Sequence, residues 1–301
     1  MRVLVSGASG LVGEALCASL RGDGHEVSTL VRRAPQAPSE VQWDPISGLA
    51  DPSSVRVDAV VHLAGESIAE GRWTAAKKQR IRDSRVLGTR SLCESLKACA
   101  EAPKTFICAS AIGFYGHRGE TKLDEGAAAG VGFLPNTCVE WEASCEPARA
   151  QGMRVVNLRI GVVLAKSGGA LSKMLLPFKL GLGGKIGNGG QYMSWITLED
   201  LVRIIQHSLV DESLEGPVNA VAPGAATNLE FTKALGKALG RPTLFPLPAF
   251  MAKLALGEMA EDLLLASTRV TPGKLSLSSF RFSHPELDAA LVAVLEGPHG
   301  R

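Results

Sequence analysis

The chain has 301 residues, of which 46% are hydrophobic and 21% charged, and its 32 Lys and Arg against 30 Asp and Glu leave a formal net charge of +2. Such values are globular and exclude disordered and fibrous classes, and so even a balance supplies no broad field for nucleic acid or a membrane. Glycine is abundant at 33, tyrosine is limited to Tyr115 and Tyr192, and no apolar run approaches the ~20 residues of a membrane span.

Residues 2–6 read as an apolar strand that stops at Gly7-Ala8-Ser9-Gly10-Leu11-Val12-Gly13. From 11 to 20, Leu11, Ala15, Leu16 and Leu20 recur at helical spacing, and Gly22-Asp23-Gly24 ends the helix. Residues 26–31 read as a second strand. A strand, glycine turn, helix and strand within about thirty residues is the context of a dinucleotide fingerprint. There the glycines serve a tight turn, close approach of a pyrophosphate, and helix–strand packing. The helix N-terminus adds free N–H groups and a positive dipole end. Gly7, Ser9, Gly10, Leu11, Val12 and Gly13 are therefore the predicted phosphate-side residues.

An NAD enzyme places Asp or Glu at the end of the second strand for the ribose 2′-hydroxyl. This chain has Arg32-Arg33 instead. A guanidinium pairs with a 2′-phosphate that a carboxylate would repel. NADP is thus the predicted cofactor, with Arg32 as the contact and Arg33 as its helper.

Residues 58–63 form the next predicted strand and run into Ala64-Gly65-Glu66-Ser67, at a strand end where doubly wound sheets hold ligands. A helical stretch spans 74–100, and strands follow at 105–108 and 155–160. This alternation predicts an α/β fold with a doubly wound parallel sheet covered on both faces. Glycine pairs punctuate 161–190 around an apolar, helix-like stretch at 170–180 that contains Pro177. The segment reads as a substrate lid hinged by glycines, with Lys173, Lys179 and Lys185 facing an anionic substrate or simply solvent. A strand at 192–196, a helix at 198–209, a strand at 218–220 and a helix at 229–240 come next. Three prolines between 241 and 248 mark a boundary, and 249–267 reads as helical.

Gly7-x-x-Gly10-x-x-Gly13, Val60-Val61-His62-Leu63-Ala64-Gly65, Ser84-Arg85-Val86-Leu87-Gly88-Thr89, the Ser110 to Gly116 segment and Asn157-Leu158-Arg159 resemble the extended short-chain dehydrogenase/reductase superfamily. Trp43-Asp44-Pro45, Trp141-Glu142-Ala143 and the Met174 to Gly181 stretch resemble its atypical "epimerase family protein" branch, over nearly the whole chain. The resemblance implies an NADP-binding Rossmann domain, set here at 1–240 with the lid-like segment 161–190. A small, largely helical substrate-side region would occupy 241–301. It also implies that Arg32, Leu63, Ala64 and Arg85 line the cofactor, with Gly65 beside them. The segment before Phe280, Leu275 to Ser279, lacks the glycine usual in the branch.

The superfamily's usual chemistry uses Tyr-x-x-x-Lys, whose i, i+4 spacing sets both groups on one helix face. Four residues after Tyr115 is Gly119, and four after Tyr192 is Ile196. Counting back from Arg159 puts the pair near Thr137 and Trp141, and a one-residue shift offers Asn136 and Glu140. The pair is missing. Ser110 and Tyr115 are the substitutes to test as catalytic residues, one to hydrogen-bond a substrate carbonyl and one as an acid. Cys138 and Glu142 share a helix face as a weaker third option, and His62 reads as a core histidine. The six cysteines show no CxxC pair and no zinc spacing, so no metal is expected. The compartment reads as reducing and cytoplasmic, an organellar form staying open if a transit peptide precedes this chain. The function read is an NADP-dependent oxidoreductase or epimerase-like enzyme on an unidentified small polar or aromatic substrate, with a non-catalytic NADP(H)-binding sensor or regulatory protein as the rival reading.

Overall fold

In the computed structural model, which describes residues 1–297, eight strands form one sheet. In chain order they are β1 (Arg2–Ser6), β2 (Glu26–Val31), β3 (Glu40–Asp44), β4 (Gly48–Leu49), β5 (Ala59–His62), β6 (Thr105–Ala111), β7 (Arg154–Ile160) and β8 (Gly216–Ala220). Their spatial order is β8-β7-β6-β5-β1-β2-β3-β4. Every pairing is parallel except β3 with β4. The chain builds outward from β1 through β2 and β3, then returns to place β5 on the other side. That reversal opens a crevice at the carboxyl ends of β1 and β5, where ligands of such sheets bind.

β5 is buried at every residue, and β1, β6 and β7 at nearly every residue. They therefore read as continuous apolar runs instead of alternating ones. Two clusters divide the faces. Leu4, Val60, Phe106 and Val155 face Trp43, Leu92 and Trp141. Val3, Val5, Val61, Ile107 and Val156 face the other way. On the first face lie α2 (Ala75–Ser95) and α3 (Phe133–Ala143). On the second lie α1 (Leu11–Gly22), α4 (Gly169–Lys179), α5 (Leu198–Val210) and α6 (Asn228–Leu239).

The C-terminal region carries α7 (Ala249–Leu256) and α8 (Leu287–Glu296). Its residues Leu275, Phe280, Ala290 and Leu291 join the second cluster directly, and positions 298–301 lie outside the described residues.

Three local readings are corrected. β3 and β4 escape the sequence reading because β3 alternates and buries only Trp43. The 192–196 strand is two: Tyr192–Met193 pairs antiparallel with Ala226–Thr227, whereas Trp195–Thr197 pairs parallel with Val162–Leu164. The 249–267 helix is broken at Gly257, whose φ of +64° ends α7, and helical turns resume over 258–265. Within the lid-like segment, Val162–Leu164 pairs with Trp195–Thr197, and α4 buries Leu171, Leu175 and Phe178.

Candidate functional site

The turn after β1 is shaped by contact as much as by composition. Gly7 has φ +68°, and a Cβ there would sit 2.8 Å from the Leu63 carbonyl carbon. A Cβ on Gly13 would sit 2.1 Å from Gly7 O, so β1, α1 and the loop after β5 close on one another only as glycines. Gly10 differs. A Cβ there would meet only Gly7 O, at 3.3 Å, and Ser9 and Gly10 are exposed. No side chain caps α1, so the N–H groups of its first turn at Leu11, Val12 and Gly13 are left for an anion. Leu11 itself leans on Gly168 and Gly169 at the start of α4.

Ser6 ties the two strand ends together. Its hydroxyl oxygen accepts from the N–H groups of Leu63 and Ala64 at 3.0 and 3.2 Å, and the hydroxyl donates to His62 Nδ1 at 2.7 Å. His62 is fully buried, its pKa pushed down to about 4 by that burial. Beyond Ala64, Gly65 lies against the Arg85 guanidinium. Arg85 donates to Glu66 O and Ile81 O, and stacks on Trp141 at 5.0 Å. Arg85 has no carboxylate partner among the described residues, and burial lowers its pKa. Lys77 pairs with Glu66 at 2.7 Å and holds that carboxyl below its ordinary value.

At the end of β2 the two arginines separate. Arg33 is bound bidentately by Glu40, at 2.6 and 2.8 Å, which holds Glu40 down to about 2. Arg32 is exposed with no carboxylate partner among the described residues. A helper role for Arg33 would require it to leave Glu40.

At the end of β6, Ser110 is buried and donates to Glu142 Oε1 at 2.7 Å. Glu142 is bound side-on by Arg159, at 2.8 and 2.9 Å. Arg159 stacks on Phe114 at 3.4 Å from the ring centre and donates to the Tyr115 hydroxyl at 3.0 Å. The Tyr115 hydroxyl also faces Asn219 Oδ1 at 2.7 Å and Asp124 O at 3.0 Å. Tyr115 has no exposed surface, and burial raises its pKa. Ser110 and Tyr115 thus belong to one buried network centred on Arg159.

The α3 face turned to this network carries Leu134, Cys138 and Glu142. A Cβ on Gly113 would lie 3.4 Å from Leu134 Cβ and 3.9 Å from Cys138 Sγ. Thr137 and Trp141 turn inward elsewhere, to Phe133 O and the Thr89 hydroxyl, so the register counted back from Arg159 is corrected. The absence of a Tyr and Lys on this face stands. Burial pushes the Cys138 thiol up to about 12. Glu142 is reassigned from a partner of Cys138 to the bridge between Ser110 and Arg159. The sequence signal for it was available, because a charged residue within a doubly buried strand such as β7 must find its counter-ion.

Beside this face a cavity of about 340 Å³ is lined by Gly113, Gly116, Leu134, Pro135, Asp262 and Leu265, among others. Burial, then Glu258, raises the Asp262 carboxyl above its ordinary value. Nothing in the sequence patterning singled out Asp262. Among the described residues no cluster of His, Cys, Asp and Glu could hold a metal ion.

Residues 3–220 match the family described as NAD dependent epimerase/dehydratase, and residues 247–294 match a domain of unknown function, DUF1731. "Epimerase family protein Mb2239" of Mycobacterium bovis is 45% identical over 290 residues, 96% of each chain. The crystal structure of human epimerase family protein SDR39U1 (isoform 2) with NADPH superposes with a TM-score of 0.92 at 35% identity, over 98% of this chain and 99% of that one. UDP-glucuronic acid 4-epimerase of Bacillus cereus, with NAD, shares the fold at a TM-score of 0.75 and 18% identity, over 97% of both chains.

Proposed function

The chain belongs to the NAD dependent epimerase/dehydratase family, and on that premise we propose that it binds NADPH at the β1–β5 crevice and acts as an oxidoreductase on a small molecule. The observation that carries this reading is the open turn at Gly10 above an uncapped helix N-terminus, with an exposed, unpaired Arg32 at the end of β2. The first-turn N–H groups would hold the pyrophosphate, and Arg32 would hold the 2′-phosphate. Leu63, Ala64, Gly65 and Arg85 would border the rest of the cofactor, as the likeness to the human protein with NADPH supports. A bound nicotinamide supplies the redox chemistry.

The chain's own groups limit how a proton moves. The Ser110 proton points at Glu142, so in this state its oxygen accepts a hydrogen bond and can orient a substrate hydroxyl. To donate to a carbonyl it must release Glu142. Tyr115 is held by three partners, without exposed surface, which disfavours it as an acid. The same observations favour a second reading, in which the cofactor binds without turnover.

Calorimetric titration tests the binding. Wild type is expected to prefer NADPH over NADH, and Arg32→Ala to weaken NADPH by about 10- to 100-fold, as loss of a charge-assisted hydrogen bond predicts. Equal affinity for both cofactors, or an unchanged Arg32→Ala, would overturn it. NADPH oxidation across aldehydes, ketones and quinones separates the two readings: turnover lost in Ser110→Ala supports the enzyme, and none anywhere supports the second.

A further inference from the structure

Two neighbouring segments leave large apolar side chains in solvent. On α4 and the turn after it, Leu176 and Leu180 are 66% and 65% exposed; on α7, Phe250 and Leu254 are 69% and 76% exposed. Leu182 and Phe245 are exposed beside them. The segments run side by side: Phe245 N–H donates to Gly183 O, Leu247 N–H to Lys185 O, and Gly187 N–H to Leu247 O. Of the eight residues of α7 only Ala252 is buried. Six large apolar side chains exposed on two hydrogen-bonded segments are more than the singly scattered apolar residues of an ordinary monomer surface.

The two segments themselves carry charge of one sign, the carboxylates of Glu258, Glu261 and Asp262 following α7. Residues 173–187 and 241–256 contain no Asp or Glu. Lys173, Lys179, Lys185 and Arg241 have no carboxylate partner among the described residues, whereas Lys253 pairs with Glu261 at 2.6 Å. Leu and Phe bordered by unpaired cations match the boundary between headgroups and acyl chains of an anionic bilayer. They match a second copy poorly. An isologous contact sets the same patch against itself, bringing like charges together with no carboxylate in either segment.

We propose that the face built from the end of α4, its following turn and α7 docks peripherally on an anionic lipid surface. No described helix is long and apolar enough to cross a membrane, so the contact is superficial. Its cations are hidden in the chain-wide balance of +2 because the compensating carboxylates lie outside the two segments. Lys253 of α7 also lines the cavity at Asp262, so the docking face and the cavity share a wall. This inference stands independently of the cofactor reading.

Co-sedimentation of the full chain with phosphatidylcholine vesicles, with and without phosphatidylglycerol, tests it. Wild type should partition onto the anionic vesicles and lose binding as salt rises. Phe250→Ser with Leu254→Ser should weaken that partition at least ~10-fold, since both side chains would lose their apolar burial. Lys179→Glu with Lys185→Glu should reduce it toward the level on neutral vesicles. All these positions are at least partly exposed and outside the cofactor turn, so circular dichroism and NADPH titration should be unchanged. No partition onto any vesicle, equal partition onto both compositions, or an unaffected serine variant would overturn the proposal. So would a wild-type dimer in sedimentation velocity that the serine variant makes monomeric.

Discussion

His62 is held by one hydrogen bond where an imidazole can make two. Nδ1 accepts from Ser6, while Nε2 is buried without a partner, between Trp43 and Phe106. Its folded pKa, about 4, lies below the ordinary 6.5, so the unfolded chain binds more protons between those values. Stability is therefore full above pH 6.5 and falls as pH drops from 6.5 to 4, by an amount on the order of 3 kcal/mol. Urea unfolding at pH 7 and pH 4 should show this loss in wild type and less of it in His62→Gln. An equal loss in both would remove His62 as the cause. At Gly13 the constraint is steric: Gly13→Ala should cost about 1–3 kcal/mol as an overpacked contact, read as a lower urea midpoint. The glycine pattern was legible in the sequence because backbone shape there is local. The burial of His62 was legible from its apolar strand, but its unsatisfied nitrogen was not, since that depends on Trp43 and Phe106 arriving from other strands.

Between elements, α3 and β7 are joined by Glu142 and Arg159, with side chains 13% and 4% exposed. Removing one partner of such a pair leaves the other charge buried, a loss of about 3–5 kcal/mol. Glu142→Ala should therefore lower the urea midpoint sharply, and the double variant Glu142→Ala with Arg159→Met should recover part of the loss. No recovery would mean that the side chains matter through packing alone. The helix and strand were readable as elements, yet their pairing was not. Counting residues back from Arg159 pointed to Thr137 and Trp141, whereas the helix phase set by Trp141 packing on Thr89 turns Leu134, Cys138 and Glu142 to the site.

Across the molecule, the loop after β5 straps three bodies together. Lys173 on α4 donates to Ala69 O, and Arg72 donates to Leu254 O and Ala255 O at the end of α7. Trp73 meets Phe133 at the start of α3, edge to face at 5.2 Å. The Arg72 bonds are exposed and worth about 1 kcal/mol or less to global stability, but they restrain α7, which buries little of its own. Arg72→Ala should accelerate amide hydrogen exchange in 249–256 while leaving the global unfolding midpoint nearly unchanged. Unchanged exchange there would remove the strap.

The opening glycine turn, the strand–helix alternation and the lack of Tyr-x-x-x-Lys were determined by the sequence itself, because each rests on residue type at short spacing. Two tyrosines can be checked one by one, and no folding alters what stands four residues on. Tertiary structure decided what those residues meet: that Glu40 occupies Arg33, that Tyr115 is enclosed by Arg159, Asn219 and Asp124, and that Val162–Leu164 of the lid-like segment pairs with Trp195–Thr197. It also decided that two apolar stretches ~70 residues apart lie side by side with their leucines in water. Partners of this kind come from distant parts of the chain, and only the packed fold selects them.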